Sequence, residues 1–146
     1  MSSLPITLGV REASFIERFS LLINERGLPR STGKVLGLLL ICEPRYQSAE
    51  VLQQQLKLSS GSVSAALQLL QQLHLAHKRT FPEDRHFYYE LAPDCWKNLI
   101  ESGRRQMQWG ITLADEALAF SKNNDRLKGM RRLYQETEEL LGKIVL

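Results

Sequence analysis

Residues 59–74, SSGSVSAALQLLQQLH, read as a helix without one Asp, Glu, Lys or Arg. Ser59 suits the N-cap, because a hydroxyl there accepts from the free amides of the first turn. Val63, Ala66, Leu67, Leu70 and Leu73 recur at three- and four-residue spacing and make one apolar stripe. Gly61, Ser64, Ala65, Gln68 and Gln72 fall on the other side. A solvated helix face ordinarily carries Lys and Glu, which are good helix formers. Small residues in the first turns sacrifice helix propensity and let another backbone come close. A plain solvated face and a contact face both fit this pattern, and the choice of residues favours contact.

Reading outward, Ser48 caps a shorter helix whose inward residues are Val51, Leu52 and Leu56. On the other side, His77–Phe81 and His86–Leu91 are rich in aromatic and extended-chain formers and flank the turn Pro82-Glu83-Asp84-Arg85. Helix, helix and two-stranded wing in this order predict a mainly α protein with a small β-wing, a winged helix-turn-helix. That shape places its second helix in the major groove of DNA.

Farther out, a first helix is predicted from about Val10 to Arg26, with Phe15, Ile16, Phe19, Leu22 and Ile23 on one face. Gly27 and Pro29 end it. A second helix, Arg30 to Cys42, is apolar on most sides, and Gly33 and Gly37 imply tight packing. From Pro93 a long helix of about 28 residues, roughly 40 Å, runs to the break at Asn123-Asn124-Asp125, and a last helix follows. One small domain does not cover so long an apolar stripe, so a second subunit, an intramolecular hairpin of the last two helices, or both, must do so.

The composition is that of an ordinary globular chain: 146 residues, 43% hydrophobic, 24% charged, net charge +3. The basic balance permits a polyanionic partner without proving one. Cys42 and Cys95 lie far apart with no CxxC spacing, which argues against a disulfide framework or a zinc site and suits a reducing cytoplasm. A redox-sensing thiol has no activating partner visible in the sequence. The first fifteen residues lack a signal-peptide pattern, and Val35–Cys42 is too short to span a bilayer, so a soluble cytoplasmic protein is expected. No Ser/His/Asp order, Gly-rich phosphate loop or HExxH spacing points to an enzyme, and no cofactor or metal is expected.

Three segments carry a family resemblance: Gly27–Gly37 (GLPRSTGKVLG), Leu58–Ser64 (LSSGSVS), and Phe81–Arg85 (FPEDR) followed by Tyr88-Tyr89. With them the chain resembles the MarR superfamily of winged-helix regulators, and within it the GbsR-type branch. The resemblance covers most of Ser14–Leu91 and the C-terminal helices in outline. It implies a homodimeric regulator of double-stranded DNA, in which residues 1–29 contribute to dimerisation, 30–92 form the DNA-binding domain and 93–146 the C-terminal dimerisation region. Some members answer to small ligands such as choline, so a small-molecule effector belongs to the expectation.

This sequence departs from the common MarR pattern in having no Arg or Lys on the recognition helix. Base contacts then fall to serine hydroxyls such as that of Ser64, which suit either base type, to Ala65 against a thymine methyl and to Gln68 against adenine, with Gly61 allowing close approach. Phosphate contacts fall to Ser48, Ser60, Ser62, Arg30, Lys34, Lys57, Lys78 and Arg79 and to helix N-terminal amides. Arg85 at the wing tip suits a narrow minor groove, unless Asp84 neutralises it. Trp96, Trp109, Phe120 and Tyr134 are candidates for an aromatic box that holds a quaternary ammonium, although aromatics at helical spacing more often serve a core or an interface. The competing function is a winged-helix module that binds a protein through the same uncharged helix.

Overall fold

The computed structural model describes residues 8–144; the expected N-terminal start at residues 1–7 and the last two residues lie outside them. The chain forms two compact units, Met1–Cys95 and Trp96–Leu146.

In the first unit, α1 (Val10–Glu25), α2 (Arg30–Ile41), α3 (Ala49–Leu56) and α4 (Ser60–Gln72) accompany three short strands, β1 (Gln47–Ser48), β2 (Ala76–Arg79) and β3 (Tyr88–Leu91). α2 is the central element: Thr32, Val35, Leu36, Leu38 and Leu39 are all buried. α1 lies against it through Ile16, Ser20 and Ile23, with Phe19 beside Gly37. Close contact requires glycine here, because a Cβ on Gly33 would stand 2.8 Å from the Ser20 Cα. α1 therefore belongs to the same compact body as the winged helix.

The two helices of the helix-turn-helix start as the sequence predicts. Ser48 Oγ accepts from the Val51 amide at 3.3 Å, and Ser59 Oγ accepts from the Ser62 amide at 3.1 Å. Between them Lys57 takes a left-handed conformation (φ 53°) that ends α3 and turns the chain. Val51, Leu52, Leu56, Val63, Ala66, Leu67 and Leu70 are buried, so the stripes read from the sequence face the core.

The strands form an antiparallel sheet in the order β1-β3-β2. β1 was not expected; two residues leave no periodic signal. Paired wing strands are also shorter than the predicted His77–Phe81 and His86–Leu91. The reason is local: Asp84 Oδ1 accepts from the His86 amide at 2.9 Å, and Asp84 Oδ2 accepts from the Tyr88 hydroxyl at 2.8 Å. That side chain occupies a donor the ladder would use. The tip is a turn closed by the Asp84 amide on the Phe81 carbonyl at 3.2 Å, with Pro82 before Glu83 at φ 68°. Pro followed by a positive φ is the pattern of a type II turn.

The second unit holds the rest of α5 (Cys95–Phe120) and α6 (Asp125–Gly142). Asn124 caps α6, accepting from the Arg126 and Leu127 amides at 3.0 and 3.2 Å. The helices meet as an antiparallel hairpin, one of the two arrangements the sequence left open. Arg104 donates to Glu138 at 2.8 and 3.1 Å, Arg131 donates to Asp115 at 2.6 Å, and the Tyr134 ring lies over Gly110. Yet no residue of α6 is buried, and Trp109, Phe120, Leu133 and Leu140 are each more than 60% exposed. Among the described residues no helix is long and apolar enough to cross a membrane.

Candidate nucleic-acid interface

α4 presents the face that the sequence singled out. Ser60, Gly61, Ser64, Ala65 and Gln68 are exposed together, while the opposite stripe packs on α2 and α3. A methyl on Gly61 would meet nothing closer than Ser59 Oγ at 4.0 Å, so the chain itself does not demand glycine there. Ser62 is half-buried and accepts a hydrogen bond from Ser59 Oγ at 3.0 Å, which ties it to the cap. Ser48 is 8% exposed and its hydroxyl serves α3.

The expected phosphate contacts divide by partner. Arg30 and Lys34 both reach Glu17 of α1, Lys34 at 3.7 Å, so these cations bridge the first two helices. Arg79 donates to Glu90 at 3.1 Å and stacks on the rings of Tyr46 and Phe81, 5.2 and 4.8 Å from their centroids. Lys57 is exposed at the end of α3. Arg85 is exposed and makes no ion pair among the described residues, because Asp84 is engaged by His86 and Tyr88. The Asp84 carboxylate is turned to His86 and Tyr88, not to Arg85.

Sequence reasoning missed the group that holds the wing in place. Tyr46, Phe81 and Tyr88 pack ring against ring, with centroids 4.8–5.5 Å apart. Tyr88 is fully buried, and burial followed by its bond to Asp84 pushes the phenol up to about 12. Glu90 gathers Arg45 at 3.6 Å, His77 at 2.9 Å and Arg79 at 3.1 Å. Burial raises the affinity of Glu90 for a proton, but the hydrogen bonds and charges of His77 and Arg79 outweigh it and hold the carboxyl below its ordinary range. The available signal was the alternation His77, Arg79 against Tyr88, Glu90, which is only informative once the register is known.

Elsewhere, the four candidate box aromatics are not gathered within one chain. The helix rise spreads Trp96, Trp109 and Phe120 along roughly 36 Å of α5, and Tyr134 packs on Gly110. Cys42 is buried with its thiol pushed up to about 11 by that burial, the condition of an unreactive cysteine. Among the described residues no group of three or more His, Cys, Asp or Glu is placed to hold a metal ion.

A capped helix-turn-helix, an exposed polar face on its second helix and a wing whose Arg85 is unpaired among the described residues are features of a DNA-binding transcriptional regulator. Comparison with known proteins agrees. HTH-type transcriptional regulator MmpR5 of Mycobacterium tuberculosis is 31% identical over 133 residues, 88% of this chain and 81% of that protein. A crystal structure of a transcriptional regulator superposes with a TM-score of 0.77 at 30% identity, over 90% of this chain and 93% of that one. The chain belongs to the family of HTH-type transcriptional regulators that includes MmpR5. No family model matches the chain.

Proposed function

We propose that the protein is a cytoplasmic, homodimeric regulator of the MarR type and its GbsR branch, which lays α4 in the major groove and Arg85 in the minor groove. The observation that carries this reading is the exposed face Ser60, Gly61, Ser64, Ala65 and Gln68, flanked by a wing whose Arg85 is unpaired among the described residues. Its hydroxyls, amide and methyl suit base edges, and its lack of charge leaves electrostatic grip to neighbouring groups. The branch assignment rests on the segments Gly27–Gly37 and Phe81–Tyr89. Dimerisation is supported by the uncovered apolar side chains of α1, α5 and α6, among them Leu21, Leu22, Trp109, Leu133 and Leu140.

Selection of DNA from a random pool tests the proposal. A dimer that reads two half-sites enriches elements centred about one helical turn, roughly 10 base pairs, apart. Arg85→Ala weakens binding while its circular dichroism and melting stay those of the wild type. Unchanged affinity of that variant across a salt titration refutes the wing contact, and retention of no DNA refutes the reading as a whole. A small-molecule effector rests on the resemblance alone; a thermal-shift screen with choline and related cations tests it, and no shift at millimolar concentration counts against it.

A further inference from the structure

Register separates Lys78 from its neighbour Arg79. Lys78 pairs with Tyr89 and Arg79 with Tyr88 across β2 and β3, so the two cations leave the sheet on opposite faces. Arg79 goes to Glu90 and the aromatic cluster. Lys78 leaves on the other face, where it lines the edge of an open cleft of about 280 Å³ between the wing root and α4, together with Ser64, Gln68, Gln71 and Tyr89.

The lining contains no Asp or Glu. The Lys78 ammonium lies 4.4 Å from the centre of the exposed Phe87 ring and makes no ion pair among the described residues. Ser64, Gln68 and Tyr89 add neutral donors on the cleft's walls. One cation, several neutral donors and no carboxylate describe a site for an anion. Two of the lining residues, Ser64 and Gln68, also belong to the exposed face of α4. Whatever anion enters must therefore sit immediately beside what α4 contacts. For a helix in the major groove, that anion is a backbone phosphate on the groove wall.

We infer that the cleft between α4 and the wing root seats a DNA backbone phosphate, held by Lys78 and Tyr89, and sets the depth and rotation at which α4 enters the groove. This rests on the DNA-binding reading given above. Arg79, on the far face, is a positioning residue for the wing.

The test is fluorescence anisotropy of a labelled random-sequence duplex with the full-length protein over roughly 50–200 mM salt, the range in which counterion release is steep. Lys78→Ala is expected to flatten the slope of log affinity against log salt by about 1, the loss of one phosphate contact. Lys78→Arg keeps the wild-type slope. Tyr89→Phe keeps the slope and lowers affinity about 3- to 10-fold, the loss of one hydrogen bond. Lys78 is exposed, so its variants should melt with the wild type. Wild-type binding with an unaltered slope and affinity for Lys78→Ala overturns the cleft assignment alone. A wild-type protein that retains no duplex at low salt overturns the DNA-binding reading, and the cleft assignment with it.

Discussion

Gly33→Ala is the perturbation that most directly probes how the first unit is built. The added methyl would stand 2.8 Å from Ser20 Cα, 3.2 Å from Ile23 Cβ and 3.2 Å from the Ser20 carbonyl oxygen. Carbon atoms in contact prefer about 3.5–4.0 Å, so the shortfall against Ser20 is roughly 0.7–1.2 Å. The obstacle is backbone, and no rotamer change removes it. α1 must move away from α2, loosening the contacts of Ile16, Ser20 and Ile23, all of them buried. Overpacking of this kind costs about 1–3 kcal/mol. Alanine recovers up to about 1 kcal/mol of that through its better helix propensity. Because the obstacle is backbone, the upper part of the overpacking range applies, and the expected net loss is about 1–2 kcal/mol, or a fall in Tm of roughly 5 °C for a domain of this size. Melting should be followed at several protein concentrations, because self-association of the kind proposed would couple to stability. A Gly33→Ala protein that melts at or above the wild type refutes the close crossing of α1 and α2.

Further predictions concern the interface and the wing. Gly61→Ala meets no atom nearer than 4.0 Å within the chain, so its Tm should match or exceed the wild type. Its DNA affinity should nevertheless fall about tenfold, because the methyl occupies the surface of close approach; unchanged affinity would remove Gly61 from the interface. Glu90→Gln discards the carboxylate that holds Arg45, His77 and Arg79 and should cost about 1–3 kcal/mol near neutral pH in denaturant melts. The folded Glu90 carboxyl lies below its unfolded value, so its contribution is present above the ordinary carboxylate range and is lost as pH falls through the folded value. The gap between wild type and Glu90→Gln should therefore close below about pH 4, and a gap that persists there contradicts the assignment. Cys42, buried and with its thiol pushed up to about 11, should resist a thiol reagent at neutral pH until the protein is denatured. Labelling of Cys42 in the native protein at the rate of a free thiol would argue against that burial.

Much of the first unit was legible because its signals are local. Ser48 and Ser59 cap the helices that their neighbours predict, and Val63, Ala66, Leu67 and Leu70 point inward because helical spacing puts them on one side. Wing strand ends were less legible, since Asp84 draws His86 and Tyr88 to its own carboxylate and interrupts the ladder. Of the residues expected at DNA, Ser60, Gly61, Ser64, Ala65, Gln68 and Arg85 are exposed, whereas Ser48, Arg30, Lys34 and Arg79 each have a partner inside the chain.

The order of elements and the uncharged outer face of α4 are properties of the sequence by itself, because capping and a 3.6-residue period act over a few neighbours. Which cation lines the cleft beside α4 and which binds Glu90 was decided by tertiary structure alone. Lys78 and Arg79 are adjacent and chemically alike in sequence, but a strand sends successive side chains to opposite faces, and one residue of register exchanges their roles. The register is set by pairing with Tyr88-Tyr89, nine or more residues away, and by burial of Tyr88 against Tyr46 and Phe81. Those contacts exist only once the chain has closed.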